Sequence, residues 1–127
     1  RMPDGCTIDQ RGLLRVPIGD DDDPSLPTPT GVDELTGENV SLGGHYGIHY
    51  ELDVDNASPA LLLLNPRAGA FAGAVRVDGA TIGAPSVGTI SSSSSAVFLG
   101  ELAAGAHVIE SMPPGGSSLP VDVLFAE

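Results

Sequence analysis

The strongest pattern in the sequence is the alternation of polar and apolar residues in HYGIHYELDV, residues 45–54. One face of a strand would carry Tyr46, Ile48, Tyr50, Leu52 and Val54, and the other would carry His45, Gly47, His49, Glu51 and Asp53. A period of two residues is typical of a β-strand with one buried face. The pattern therefore predicts a strand over 45–54 with both histidines on its outward face.

Short apolar runs separated by turn residues predict further strands. The segment ALLLLN, residues 60–65, is apolar at successive positions, so we expect a central strand that is buried on both faces. The pair Asp78-Gly79 is typical of a tight hairpin turn. The remaining candidates are residues 13–18, 32–42, 96–102, 105–112 and 121–125. About eight short strands at spacings of roughly ten residues, with no convincing helix, predict an all-β fold, an antiparallel β-sandwich.

The N-terminal part of the chain differs from the rest. We expect an arm and its linker in residues 1–31 and the β-sandwich in residues 32–127. The run LLRVPI is a strand candidate, but Pro17 lacks the N–H that a central strand donates, so it indicates an edge strand or an arm. The following segment DDDDPSLPTPTG is acidic and rich in proline, which favours an extended, self-repelling linker.

Composition and charge narrow the classes of partner. The chain has 127 residues, the size of one domain, and its 17 acidic residues outweigh 5 arginines and no lysine, for a formal net charge of -12. Nucleic-acid and anionic lipid surfaces attract basic side chains, so this balance argues against both. No run approaches the ~18 apolar residues of a membrane span, so we expect no membrane insertion. A strongly acidic surface is consistent with an extracellular protein.

Two of the three histidines, His45 and His49, are candidate metal ligands. At ~3.3 Å per residue, the Cα atoms of His45 and His49 would lie about 13 Å apart on a strand, too far to share one ion easily. Calcium is the better candidate, because it binds carboxylate oxygens in loops. The carboxylates available for it are Asp20, Asp21, Asp22, Asp23, Asp53 and Asp55. Neither group has the spacing of an EF-hand loop, so the cofactor prediction is none, or calcium.

Catalytic motifs are lacking. The serines next to glycines do not form a Gly-x-Ser-x-Gly elbow, and without lysine there is no Schiff-base amine. We therefore expect a protein that is not an enzyme. Cys6 is the single cysteine and cannot form an intramolecular disulfide. Asn39-Val40-Ser41 matches the N-glycosylation triplet, which occurs often by chance.

Three stretches resemble a known family of domains: GGHYGIHYELDVDN, LLLLNPRAGAFAGAVRVDG and MPPGGSSLPVDVLF. Together they are similar to the all-β domain of secreted bacterial proteins described as copper amine oxidase N-terminal domain-like, or stalk-like, over residues 35–125. The resemblance implies export, a β-sandwich and a surface or scaffold role. It implies no copper chemistry, since the chain has no Asn-Tyr-acid motif and no His-x-His pair.

These observations predict a non-enzymatic extracellular structural module, a self-assembling cell-surface or filament subunit. The arm would donate its strand to a sheet edge of the next subunit and bury Leu13, Leu14, Val16 and Ile18, giving a homo-oligomer or fibre. Alternatively, the arm packs onto its own domain as an edge strand. The alternative function is a calcium- or carbohydrate-binding β-sandwich module of a secreted protein, although a sugar site is disfavoured because Tyr46 and Tyr50 fall on the predicted core face.

Overall fold

The computed structural model describes residues 12–20, 29–41 and 44–127. The described residues form ten β-strands and no helix. The strands are β1 (Leu13–Ile18), β2 (Thr30–Val32), β3 (Asn39–Ser41), β4 (Tyr50–Asn56), β5 (Ala60–Asn65), β6 (Gly73–Val77), β7 (Ala80–Ala84), β8 (Val97–Leu102), β9 (Gly105–Ser111) and β10 (Val121–Ala126).

Eight of these strands form two four-stranded antiparallel sheets. The first sheet has the order β1-β10-β5-β8, and the second has the order β4-β9-β6-β7. The remaining two strands, β2 and β3, pair with each other as a separate hairpin. The architecture confirms the predicted all-β, sandwich-like fold, with two strands more than expected.

The hydrophobic core lies between the two sheets and is supplied by alternate residues of both. The largest contributors are fully buried, and they are Ile18, Leu62, Leu64, Val121, Val123 and Phe125 from the first sheet with Val75 and Ile109 from the second. Phe71, in the loop before β6, is also buried in this cluster. Aliphatic side chains therefore form most of the core, as the scarcity of aromatic residues requires.

Among the described strands, β1 lies at an edge of the first sheet. It pairs antiparallel with β10 of the same chain, from Leu13 opposite Ala126 to Ile18 opposite Val121. An edge position tolerates Pro17, which has no N–H to donate. In the structure β1 packs onto its own domain, which is one of the two arrangements predicted for this segment. Residues 1–11 and 21–28, which include Cys6 and most of the predicted linker, lie outside the described residues.

The strand predicted over 45–54 begins later than expected. β4 starts at Tyr50, and the preceding residues form turns in which Gly44, His45 and Gly47 have left-handed backbone conformations. The amide of Ile48 donates to the carbonyl of His45, which closes one of these turns. The prediction of a strand before Tyr50 is therefore wrong, because glycines next to His45 and Tyr46 release the chain from the extended conformation.

From Tyr50 onward the predicted alternation is confirmed. Leu52 is buried and Val54 is half-buried, whereas Glu51, Asp53 and Asp55 are exposed. The Asp78-Gly79 hairpin is also confirmed, since these residues connect β6 and β7 with φ angles of 49° and 85°. Such a turn needs two left-handed residues in succession, which Asp followed by Gly provides.

β5 is central, as predicted, but it is not buried on both faces. Leu62 and Leu64 point into the core, whereas Leu61 is exposed and Leu63 half-buried on the outer face. No other layer of the described chain covers this face. β8, the next strand, contains a bulge at Leu99, where the register with β5 shifts by one residue.

Among the described residues, no helix has the length and apolar character needed to cross a bilayer.

Candidate functional site

The predicted donor residues alternate across β1. Val16 and Ile18 are buried in the core, and Leu14 is partly buried and packs against it. Leu13 points to the outer face of the first sheet and is 46% exposed. The strand thus fills a slot along β10 with three of its four predicted side chains, and this slot is the first candidate site for a partner strand.

Gly19 directly follows β1 and sets the direction in which the chain leaves the slot. Its φ is +73°, and an added Cβ would lie 2.9 Å from Cδ1 of Leu119. Any other residue would be strained in this conformation and would collide with that side chain. The chain therefore turns sharply at the end of β1.

A group of four charged side chains lies beside β1 on the outer face of the first sheet. The Asp122 side chain on β10 is 2% exposed, and its Oδ2 lies 3.4 Å from Nε of Arg15. Its Oδ1 lies 3.5 Å from Nε of Arg67. Arg67 also forms an ion pair with Asp20, the residue that follows Gly19. This charge cluster connects the exit of β1 to the centre of the sheet.

The protonation of Asp122 depends on this cluster. Burial raises the pKa of the Asp122 carboxyl above its usual value, and the positive charges of Arg67 and Arg15 offset part of this effect. Asp20 adds a smaller upward contribution because it is another negative charge nearby. The two arginines therefore stabilise the charged form of the buried Asp122 side chain.

The candidate calcium ligands do not converge in the described structure. Asp20 lies next to the first sheet and is paired with Arg67, whereas Asp53 and Asp55 lie on the outer face of the second sheet. Among the described residues, no group of three or more His, Cys, Asp or Glu side chains is arranged to hold a metal ion. Asp21, Asp22 and Asp23 lie outside the described residues.

The outer face of the second sheet is acidic. Glu51 on β4 lies directly opposite Glu110 on β9. Glu110 contacts two basic side chains, since its Oε2 lies 3.4 Å from Arg76 and its Oε1 lies 3.1 Å from His49 Nε2. A depression of about 190 Å³ lies beside them. This volume is below the ~300 Å³ of a typical small-molecule pocket. The contact of Glu110 with Arg76 offsets the repulsion between the opposed Glu51 and Glu110 carboxylates.

His45 is not an outward-facing residue, contrary to the prediction. It is 4% exposed, and its Nδ1 forms a hydrogen bond with the hydroxyl of Tyr50. The two rings stack with centroids 6.1 Å apart. Tyr46, expected in the core, is instead about half exposed and donates from its hydroxyl to the carbonyl of Ser117. The glycines on either side of His45 were the sequence signal for this turn.

His107 on β9 contacts the β6–β7 turn. Its Nδ1 lies 2.7 Å from Oδ2 of Asp78, and its Nε2 lies 2.9 Å from the carbonyl oxygen of Ala103. Because both ring nitrogens face acceptors, the doubly protonated ring is favoured. The hydrogen bond that His107 donates to Asp78 is the main cause of the raised His107 pKa, and the hydrogen bond to the Ala103 carbonyl contributes next. The contact with His107 likewise lowers the Asp78 pKa, and the amide of Val108 assists.

This pair predicts a pH dependence of stability. The raised His107 pKa gives stability below its ordinary value of 6.5 that is lost as the pH rises through the folded-state value. The lowered Asp78 pKa gives stability above 3.8 that is lost as the pH falls through the folded-state value. We therefore expect wild type to lose more stability than His107→Gln as the pH rises above 6.5.

Thermal unfolding of wild type and His107→Gln, measured from below pH 6.5 to above the folded-state pKa of His107, checks the prediction. Asp78→Asn is the matched partner variant and should remove the same pH-dependent component. Parallel profiles for wild type and His107→Gln would show that the pair does not titrate as the contacts imply.

Comparisons of the chain with protein families, with curated proteins and with solved structures found no match. The likeness to the stalk-like domains of secreted bacterial proteins therefore stays a prediction that rests on the three quoted stretches.

Proposed function

We propose that this protein is a non-enzymatic structural module of the cell exterior that assembles with copies of itself, and that β1 is the strand that copies exchange. In the exchanged form, β1 of one molecule would occupy the slot along β10 of the next. Every contact of β1 with its slot would be retained, because the two molecules have identical slots. The observation that carries the proposal is that the first sheet is completed at its edge by an N-terminal strand with a buried apolar side.

The strength of the β1 contacts supports this role. Burying Val16 and Ile18 contributes on the order of 3 to 6 kcal/mol before ordering costs. The six aligned residue pairs with β10 add main-chain hydrogen bonds. A molecule whose slot is empty would therefore expose core residues such as Val123 and Phe125.

The length of the connection permits exchange. Ile18 and Thr30 are twelve residues apart, so the chain between β1 and β2 spans at most about 40 Å. That reach is comparable with the diameter of a small domain. β1 can therefore reach a neighbouring molecule while the remaining strands stay in place.

An extracellular location is supported by the acidic, lysine-free composition and by the resemblance to secreted stalk-like domains.

Disulfide trapping tests the exchange with the full chain. Leu13 on β1 lies opposite Ala126 on β10, so cysteines at these two positions are close enough to bond. Two single variants, Leu13→Cys and Ala126→Cys, are made in a Cys6→Ser background, mixed, unfolded, refolded together and oxidised. Exchange predicts a covalent dimer that contains one chain of each variant, separated by mass.

Two controls interpret the result. Mixing Leu13→Cys with Val108→Cys should give no specific dimer, because Val108 lies on the second sheet. The double variant Leu13→Cys/Ala126→Cys should form an intrachain bond when β1 stays in its own molecule. If the double variant closes within the chain and the mixed single variants give no dimer, strand exchange is refuted.

A further inference from the structure

The outer face of the first sheet carries an apolar patch that no described part of the chain covers. This patch, the apolar face, consists of Leu13, Leu61, Leu63, Phe98, Leu124 and Ala126. Phe98 is 58% exposed and Leu61 is 40% exposed. Scattered exposed apolar residues are common in soluble proteins, but a contiguous patch of this kind indicates an interaction surface.

The strand register arranges the apolar face in two rows. The first row crosses the four strands as Leu13, Ala126, Leu61 and Glu101. The second row crosses them as Arg15, Leu124, Leu63 and Phe98. The centre of each row is apolar, while the charges lie at opposite edges, with Arg15 on β1 and Glu101 on β8.

The charge distribution distinguishes this face from the rest of the molecule. The outward positions of the second sheet include Glu51, Asp53, Asp55 and Glu110. On the first sheet, by contrast, Asp122 is compensated by Arg15 and Arg67. In a chain of net charge -12, a second copy is therefore repelled less by the outer face of the first sheet than by the outer face of the second.

We propose that the apolar face binds the apolar face of a second copy of this chain, with a two-fold axis parallel to the strands. In this arrangement β1 of each copy lies over the partner's β8, and each row lies over the same row. Arg15, which is 56% exposed, then faces the partner's Phe98. The partner's Glu101 is one row away, about 7 Å along the strand, within reach of the long guanidinium side chain.

The complementary edges decide the orientation. An arginine above an aromatic ring and next to a carboxylate makes a favourable cation–π and ionic contact. A two-fold axis perpendicular to the strands would instead place the two Arg15 side chains along the same edge, without the carboxylate. This dimer rests on the proposed self-association, but it does not depend on exchange of β1.

Sedimentation velocity of the full chain, from low to high micromolar concentration, tests the face-to-face dimer. Phe98→Glu should weaken dimerisation by at least about tenfold, because it places a charge inside the interface. Val108→Glu is the matched control, since Val108 is outward and partly exposed on the second sheet. Leu61→Glu serves as a second variant if Phe98→Glu does not fold. A monomeric wild type, or equal effects of Phe98→Glu and Val108→Glu, would overturn the proposal.

The orientation is tested by reversing a charge. Glu101→Arg should weaken the dimer by about tenfold, because the partner's Arg15 would then face a like charge. Glu51→Arg changes the net charge equally on the other sheet and should not weaken it. An unchanged or tighter Glu101→Arg dimer refutes this two-fold arrangement.

The cysteine and Phe98→Glu experiments distinguish exchange of β1 from the face-to-face dimer. In the face-to-face dimer, Leu13 and the partner's Ala126 lie on different sheets, about 10 Å apart in the stacking direction alone, beyond the reach of a disulfide. A covalent dimer of the mixed cysteine variants with no effect of Phe98→Glu supports strand exchange and refutes the apolar face. Loss of the dimer in Phe98→Glu with no covalent dimer supports the apolar face and refutes exchange.

Discussion

Replacing Ile18 by alanine is expected to lower the free energy of unfolding by about 3 kcal/mol. Ile18 is 1% exposed and lies in the core, so the substitution removes buried methyl groups and leaves a cavity. Urea denaturation at low protein concentration measures the change. This expectation holds whether the strand comes from the same chain or from a neighbour, because the slot is the same. If copies exchange β1, the unfolding midpoint also rises with protein concentration.

Leu13→Ala is the matched control for Ile18→Ala. Leu13 belongs to the same strand but points to the outer face, so its loss should cost less than about 1 kcal/mol. Equal effects of the two substitutions would mean that β1 does not complete the core.

The second large effect is expected in the charge cluster. Arg67→Gln should destabilise the protein by about 2 to 3 kcal/mol near neutral pH, because it leaves the buried Asp122 carboxylate without one of its two cations. Since burial already raises the Asp122 pKa, the folded protein takes up this proton at a higher pH than the unfolded chain does. The loss should therefore shrink as the pH falls through the raised folded-state pKa of Asp122, because the carboxyl then becomes neutral.

Two further variants identify the cause of this loss. Asp122→Asn in the Arg67→Gln background should restore most of the stability at neutral pH, since no buried charge remains to be compensated. Arg76→Gln removes an arginine from the exposed pair with Glu110 and should cost less than about 1 kcal/mol. A loss for Arg67→Gln that is independent of pH, with no restoration by Asp122→Asn, would assign the effect to packing of the arginine stem.

Local sequence patterns predicted the elements whose signal lies within a few residues. The period of two identifies β4 from Tyr50 onward, and the Asp78-Gly79 pair identifies the β6–β7 turn. The same period failed before Tyr50 because alternation describes side chains and not backbone conformation. Gly44 and Gly47 allow left-handed geometry there, and the turn places His45 inside the protein.

The interactions around the candidate site depend on contacts between distant parts of the chain. Asp20, Arg67 and Asp122 come from three separate segments, and only the pairing of β1 with β10 and of β10 with β5 brings them together. The burial of β5 also depends on more than the local sequence. Four consecutive leucines predict burial on both faces, but the outer face of β5 is not buried within this chain. A larger assembly that covers this face would bury it.

The rims of the first sheet limit how whole molecules can join. One rim is β1, where Pro17 provides no amide hydrogen, and the other is β8, where the bulge at Leu99 interrupts the regular spacing of backbone groups. Neither rim can template a long continuous ladder with another intact molecule. Under the proposed self-association, pairing of intact copies along these two rims is therefore disfavoured, and the first sheet would contribute through its outer face or through exchange of β1.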